Sequence, residues 1–224
     1  MTNDLVKSKC ILALDHQNDQ SLPILIDQIS GEFKWVKVGM ELYFSQGYKI
    51  LELLHRKGFK IFLDLKLHDI PQTVHNAILS LSHHPFDLIT IHLQGGSHMI
   101  QMAYEALEKN NHHAKILGVS VLTSFDENSW QKTQSQKTNI KESIQTLVSQ
   151  DLLSYVYGVV SSGHDISNIK KIAPLKVVVP GIRWSTSHHD QSRVVSPAQA
   201  LSNGADYLVI GREITQAANI ELAI

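Results

Sequence analysis

The stretch Asp64-Leu-Lys66-Leu-His-Asp69-Ile-Pro71-Gln-Thr73 brings two acids, a lysine and a threonine together directly after the apolar run Phe59-Lys-Ile-Phe-Leu63. A strand alternates its side chains between two faces, so Asp64 and Lys66 share one face and Leu63, Leu65 and Leu67 the other. An acid and a base two residues apart at the end of a buried strand are costly to desolvate unless they pair or do chemistry. Two more charges occupy similar places: Asp15 closes Ile-Leu-Ala-Leu-Asp, and Lys37 sits in Trp-Val-Lys-Val-Gly with Val36 and Val38 opposite it. Acid, base, acid and base thus fall near the ends of three successive strand candidates, with Asp69 in the loop beyond. An ammonium held among carboxylates suits electrostatic stabilisation of a developing anion and delivery of a proton. The alternative is an ion-pair layer that merely plugs one end of the fold. Apolar residues would serve that purpose as well or better, so the cluster reads as a functional site.

A second group of residues suggests an anion. Lys176-Val-Val-Val-Pro180-Gly181-Ile-Arg183 reads as a strand ending in a tight turn, and a polar loop follows to Asp190-Gln191. Tyr207-Leu-Val-Ile-Gly211-Arg212 ends just before a helical start. Glycine lets backbone approach a ligand closely, N–H groups at a helix start favour anions, and an arginine fork matches phosphate.

Eight apolar strand candidates position these groups: Lys9–Asp15, Lys34–Gly39, Phe59–Asp64, Leu88–His92, Lys115–Val121, Val156–Ser161, Lys176–Pro180 and Tyr207–Gly211. Helix-like stretches lie between them, including Leu42–Lys57, Thr73–Leu81 after Pro71, and Met99–Lys109. Continuous apolar strands alternating with helices imply a parallel sheet covered by helices. Eight such units predict an α/β fold, a (β/α)8 TIM barrel forming a single domain over residues 1–224. The rival is an open doubly wound sheet, but the first strand is followed by Asp15-His-Gln-Asn rather than a Gly-x-Gly-x-x-Gly turn. Barrel catalytic groups come from strand C-terminal ends, and phosphate usually sits after strands seven and eight. Ser124–Asn139 is the longest loop candidate, a mobile lid or a solvated surface connection, the second favoured.

A formal net charge of −1 gives no global field to attract nucleic acid or a membrane surface. The single cysteine, Cys10, lies in an apolar run, where a buried side chain is expected, and fits a reducing compartment. The start of the chain shows no signal-peptide pattern, and no stretch has the roughly 20 apolar residues needed to span a bilayer. A cytoplasmic setting is the expectation. The pairs His83-His84, His112-His113 and His188-His189 read as surface residues in polar turns, and no Cys/His cluster has zinc spacing. His92 ends the fourth strand, where it either faces the site or plays a hydrogen-bonded structural part.

These motifs carry a family resemblance. Asp-Leu-Lys-Leu-His-Asp-Ile-Pro-x-Thr at 64–73, Leu-Ala-Leu-Asp at 12–15, Val-Lys-Val-Gly at 36–39, Leu-Thr-Ser at 122–124, Pro-Gly-Ile-Arg at 180–183 and Ile-Gly-Arg at 210–212 together resemble the orotidine 5′-phosphate decarboxylases, in order and nearly end to end. The resemblance implies a homodimeric barrel that makes UMP and CO2 with no cofactor or metal. It implies Lys66 as proton donor to C6 and Asp64 against the substrate carboxylate. Lys37 and Asp69 complete the charged network, with Asp69 and Thr73 reaching the partner's site. Asp15 and Lys37 would hold ribose hydroxyls, Thr123 the pyrimidine with Ser124 as a second candidate, and Arg183, Gln191, Gly211 and Arg212 the phosphate. Two departures stand out. The Trp184–His189 loop is one residue short of the family pattern, and Glu213 stands where a proline is usual, putting a carboxylate near the phosphate. Two alternatives remain: a magnesium-dependent sugar-phosphate decarboxylase or aldolase on the same barrel, sharing Asp-x-Lys-x-x-Asp, and a non-catalytic nucleotide-binding barrel.

Overall fold

The computed structural model describes residues 8–15, 21–134, 138–149, 154–184, 194–217 and 220. Eight parallel strands close into a barrel in chain order: β1 (Cys10–Ala13), β2 (Trp35–Gly39), β3 (Lys60–Leu67), β4 (Leu88–His92), β5 (Lys115–Val119), β6 (Gly158–Val160), β7 (Lys176–Val179) and β8 (Tyr207–Ile210), with β8 paired back to β1. The open doubly wound alternative is thereby excluded.

Alternation along the strands makes two apolar layers. Ile11, Ala13, Phe62, Leu88, Leu117, Val119, Val160, Val178 and Val209 fill the barrel interior. Leu12, Leu14, Val36, Val38, Ile61, Leu63, Leu65, Ile89 and Ile91 face outward and pack under the helices. Lys37 and Asp64 follow the interior parity, so the charges cap the inner layer at the C-terminal mouth. Cys10 is buried, and burial pushes its thiol up to about 11, so it is inert packing.

Three sequence expectations need correction. The expected helix Leu42–Lys57 is two helices, Met40–Gln46 and Lys49–Arg56. Gly47 between them takes φ 62° and ψ −152°, a conformation open essentially only to glycine. The expected loop Ser124–Asn139 contains a helix, Glu127–Thr133. Asp126 Oδ1 accepts the Ser129 N–H at 2.7 Å while Ser129 Oγ accepts the Asp126 N–H at 3.0 Å, a reciprocal cap. Trp130 anchors that helix by burial, its indole donating to Ser143 Oγ at 2.9 Å. Finally, β3 does not stop at Asp64 but runs on to Leu67. Two of the histidine pairs are also less superficial than expected: His84 stacks on Tyr48 and His112 on Phe86, while His188 and His189 lie outside the described residues. No helix among the described residues is long and apolar enough to cross a membrane.

Candidate active site

The ends of β1, β2 and β3 bring Asp15, Lys37, Asp64 and Lys66 into one line of alternating charge. The registers Ala13↔Lys37 and Gly39↔Asp64 set their heights on neighbouring strands. Lys37 Nζ donates to both Asp15 oxygens, at 2.9 and 2.8 Å, and lies 3.6 Å from Asp64 Oδ2. Lys66 Nζ donates to that same Asp64 Oδ2 at 2.8 Å. Lys37 and Asp64 are buried, and the Lys66 side chain is 28 % exposed. The ammonium of Lys66 is therefore the cation of this line most open to a ligand. Burial alone raises the Asp64 carboxyl. The charges of Lys37 and Lys66 and the hydrogen bonds from Lys66 and Thr90 outweigh it and hold the group below the usual carboxylate range.

Two residues that sequence reasoning passed over support this line. Gly39 leaves room for the pair: a Cβ there would lie 2.5 Å from Asp15 Oδ1 and 2.9 Å from Lys37 Nζ and displace them. It stands in the quoted Val-Lys-Val-Gly motif, which was its only signal. Thr90 is fully buried, and its hydroxyl donates to Asp64 Oδ1 at 2.9 Å. A polar residue inside Leu-Ile-Thr-Ile-His, on the interior parity of His92, was the available sign. His92 itself stacks on His68, with ring centroids 5.1 Å apart. Burial first, then the neighbouring His68 and Lys66, lower its pKa to about 4 against the opposing pull of Asp64, so it is neutral near pH 7. Its Nδ1 is buried without a hydrogen-bond partner among the described residues.

One cleft joins the charged line to the anion end. Asp15, Lys37, Asp64, Lys66 and Thr123 line it on one side, Gly181, Arg183, Gly211 and Arg212 on the other. Gly181 takes φ 73°, which turns the chain at the mouth after β7. Arg183 is buried, donates from Nη1 to the Ile182 carbonyl at 2.9 Å, and has Nε 3.9 Å from Glu213 Oε1. Glu213 thus does stand beside the anion end. The helix opening at Arg212 is only four residues, Arg212–Thr215, so its dipole adds little beside the two guanidinium groups. Ser124 is exposed and does not line the cleft. Gln191 lies outside the described residues. Asp69 and Thr73 are exposed and do not line the cleft of their own chain; Asp69 Oδ1 accepts the Ile70 N–H at 2.6 Å.

Fold and site together define a barrel enzyme of the phosphate-handling kind, with a preorganised ammonium–carboxylate centre facing an arginine-lined end. Residues 8–224 match the family model described as "Orotidine 5'-phosphate decarboxylase / HUMPS family", and the chain belongs to that family. It is 38 % identical over 221 residues to the orotidine 5′-phosphate decarboxylase of Lawsonia intracellularis, covering 94 % of this chain and 93 % of that protein. It is 41 % identical over 213 residues to the one of Oenococcus oeni, covering 93 % and 92 %. The crystal structure of the orotidine 5′-phosphate decarboxylase from Lactobacillus acidophilus superposes with a TM-score of 0.82 at 30 % identity, over 96 % of this chain and 95 % of that one.

Proposed function

We propose that this chain decarboxylates orotidine 5′-phosphate to UMP and CO2, the last step of de novo pyrimidine nucleotide biosynthesis, as a carboxy-lyase. The observation that carries the reading is the Asp15–Lys37–Asp64–Lys66 line set in the same cleft as Arg183 and Arg212.

In this reading the bond from C6 to the carboxylate breaks and its electron pair stays on C6, in an orbital in the ring plane that the ring carbonyls cannot delocalise. The Lys66 ammonium, held at 2.8 Å by Asp64, stabilises that charge and passes a proton from Nζ to C6. Asp64, held ionised, repels the substrate carboxylate, and the repulsion vanishes as neutral CO2 leaves. Lys37 and Asp15 meet the ribose hydroxyls, and Thr123 the pyrimidine; Ser124, outside the cleft, takes no part. Arg183, Gly211 and Arg212, together with Gln191, hold the phosphate, whose binding energy lies remote from the reacting carbon and helps assemble the site. The reading needs no metal or cofactor. It includes a homodimer in which the exposed Asp69 and Thr73 of each chain enter the partner's site; Ile70 between them, 67 % exposed, fits such a contact. The one buried thiol fits a cytoplasmic setting.

The test is the loss of ultraviolet absorbance of orotidine 5′-phosphate with purified protein in EDTA, beside Lys66→Ala. Turnover by the wild type alone is the expected result. Turnover by Lys66→Ala at the wild-type rate overturns the assignment of Lys66. Activity that requires magnesium and a sugar phosphate restores the aldolase reading, and tight UMP binding without turnover the non-catalytic one.

A further inference from the structure

The registers on either side of the catalytic lysine do not match in length. On β3 and β4, Leu63 pairs with Ile89 and Leu67 with Ile91, so the three residues Asp64, Leu65 and Lys66 stand opposite the single residue Thr90. A bulge of this kind bends a strand and re-aims a side chain, but it takes backbone groups out of the ladder. Its last residue, Lys66, takes φ 50°, and only Asn111 shares a positive φ among the other described non-glycine residues. An unbranched lysine does not adopt that conformation without something to hold it.

Thr90 supplies the hold. Its Oγ1 accepts the backbone N–H of Lys66 at 2.9 Å, and its own hydroxyl hydrogen goes to Asp64 Oδ1 at 2.9 Å. Asp64 turns its other oxygen, Oδ2, to Lys66 Nζ at 2.8 Å. The result is a closed ring of hydrogen bonds: Lys66 N–H to Thr90, Thr90 to Asp64, and Asp64 back to the ammonium of the same lysine. The hydroxyl is the only group in the ring that both donates and accepts, which fixes the direction of every bond. Thr90 is wholly buried, so water has no access to replace it.

We infer that Thr90 is a positioning residue for decarboxylation: by tying the left-handed backbone of Lys66 to the carboxylate of Asp64, it sets where the Lys66 ammonium stands at the barrel mouth. Thr90 does not touch the substrate and acts through the other two. This rests on the assignment of Lys66 as proton donor. The methyl group of Thr90 serves only packing, and its hydroxyl carries the effect.

Thr90→Val keeps the branched shape and removes both bonds, whereas Thr90→Ser keeps the hydroxyl. For Thr90→Val, kcat falls by roughly 10²-fold, the cost of displacing a catalytic group by about an ångström, with KM and UMP affinity within about threefold of the wild type. Thr90→Ser restores kcat to within about threefold. The acid limb of kcat against pH moves upward in Thr90→Val, because one of the bonds that keeps Asp64 ionised is gone. Full kcat in folded Thr90→Val, or equal losses in Val and Ser, overturns the inference. If Thr90→Val does not fold, Thr90→Cys, with its weak donor and acceptor, gives an intermediate kcat, and wild-type kcat there overturns the inference. Lys66→Ala run alongside keeps the two assignments apart. Turnover in Lys66→Ala refutes the lysine, whereas a dead Lys66→Ala with an unimpaired Thr90→Val refutes only the threonine.

Discussion

Lys66 and Lys37 meet at one oxygen: Asp64 Oδ2 lies 2.8 Å from the first ammonium and 3.6 Å from the second. Each lysine has a different second neighbour. Lys37 is also held by both oxygens of Asp15, while Lys66 is the more exposed of the two toward the cleft. One carboxylate therefore holds an occupied cation and an available one apart. Asp64→Asn preserves the shape and removes the charge. Loss of the preorganised field lowers kcat by at least about 10²-fold, and loss of the repulsion toward the substrate carboxylate lowers KM at the same time. Steady-state kinetics check the split; a raised KM with unchanged kcat contradicts it.

Gly39 gives a second test of the same line. Its φ of −85° is open to any residue, so the cost of Gly39→Ala is contact alone. The new methyl falls on Asp15 Oδ1 and Lys37 Nζ and pushes the pair out of the cleft. Strain of about 1–3 kcal/mol is expected in denaturant unfolding, with KM for orotidine 5′-phosphate raised because Asp15 and Lys37 no longer meet the ribose. An unchanged KM removes Asp15 and Lys37 from the substrate.

The barrel and the charged line were legible in the sequence because both depend on local signals. Strand alternation sorted Asp64 and Lys66 from Leu63 and Leu65, and eight apolar runs set the strand count. What the sequence did not disclose depends on pairing between strands. Thr90 matters because β3 carries two more residues than β4 between Leu63 and Leu67, and no property of either segment read alone reveals that offset. Gly39 was quoted within a motif, but its reason, the Asp15–Lys37 pair beside it, comes from β1. The helix Glu127–Thr133 was missed for another reason: its residues are polar, and the Asp126–Ser129 cap and a single buried Trp130 hold it in place of an apolar stripe.

At the anion end, Arg183 Nε lies 3.9 Å from Glu213 Oε1, a carboxylate that would compete for the guanidinium with the phosphate of the proposed substrate. Glu213→Gln removes that carboxylate, so it lowers KM and leaves kcat unchanged. Arg212→Ala acts in the opposite sense and lowers kcat/KM. Orotidine, the nucleoside without the phosphate, is insensitive to both changes, and a response there places the two residues elsewhere than at the phosphate.

Acid sensitivity follows from His92 and Asp64, both with lowered pKa values in the folded chain. For His92, lowered from 6.5 to about 4, the unfolded chain binds the proton more readily. Its neutral form therefore stabilises the fold above pH 6.5, and that contribution is lost as pH falls from 6.5 toward 4. Asp64 follows at lower pH: the stability from its ionised form is present above the unfolded value of about 3.9 and is lost as pH falls through the depressed folded value. Urea unfolding of wild type and His92→Gln from pH 7 to 4.5 checks the first step. The wild type loses stability over that interval, and the variant loses less. Parallel curves would show that other groups set the acid limit.

Asp69 stands outside the cleft of its own chain, exposed beside Ile70, while its motif neighbours Asp64 and Lys66 lie within it. A residue that serves the partner's site has a consequence no single-chain role shares. In the proposed homodimer, Asp69→Ala and Lys66→Ala are each expected to be inactive alone. In a mixed dimer, the site built on the intact Lys66 receives an intact Asp69 from the other chain, and the second site lacks both. Random re-pairing of equal amounts makes about half of the dimers mixed, each with one of two sites whole, so activity returns to about a quarter of the wild type. Co-refolding the two variants and assaying orotidine 5′-phosphate measures this directly. No recovery means that Asp69 acts within its own subunit, and that the loop Asp69–Thr73 must close back over the cleft that Asp69 and Thr73 do not line.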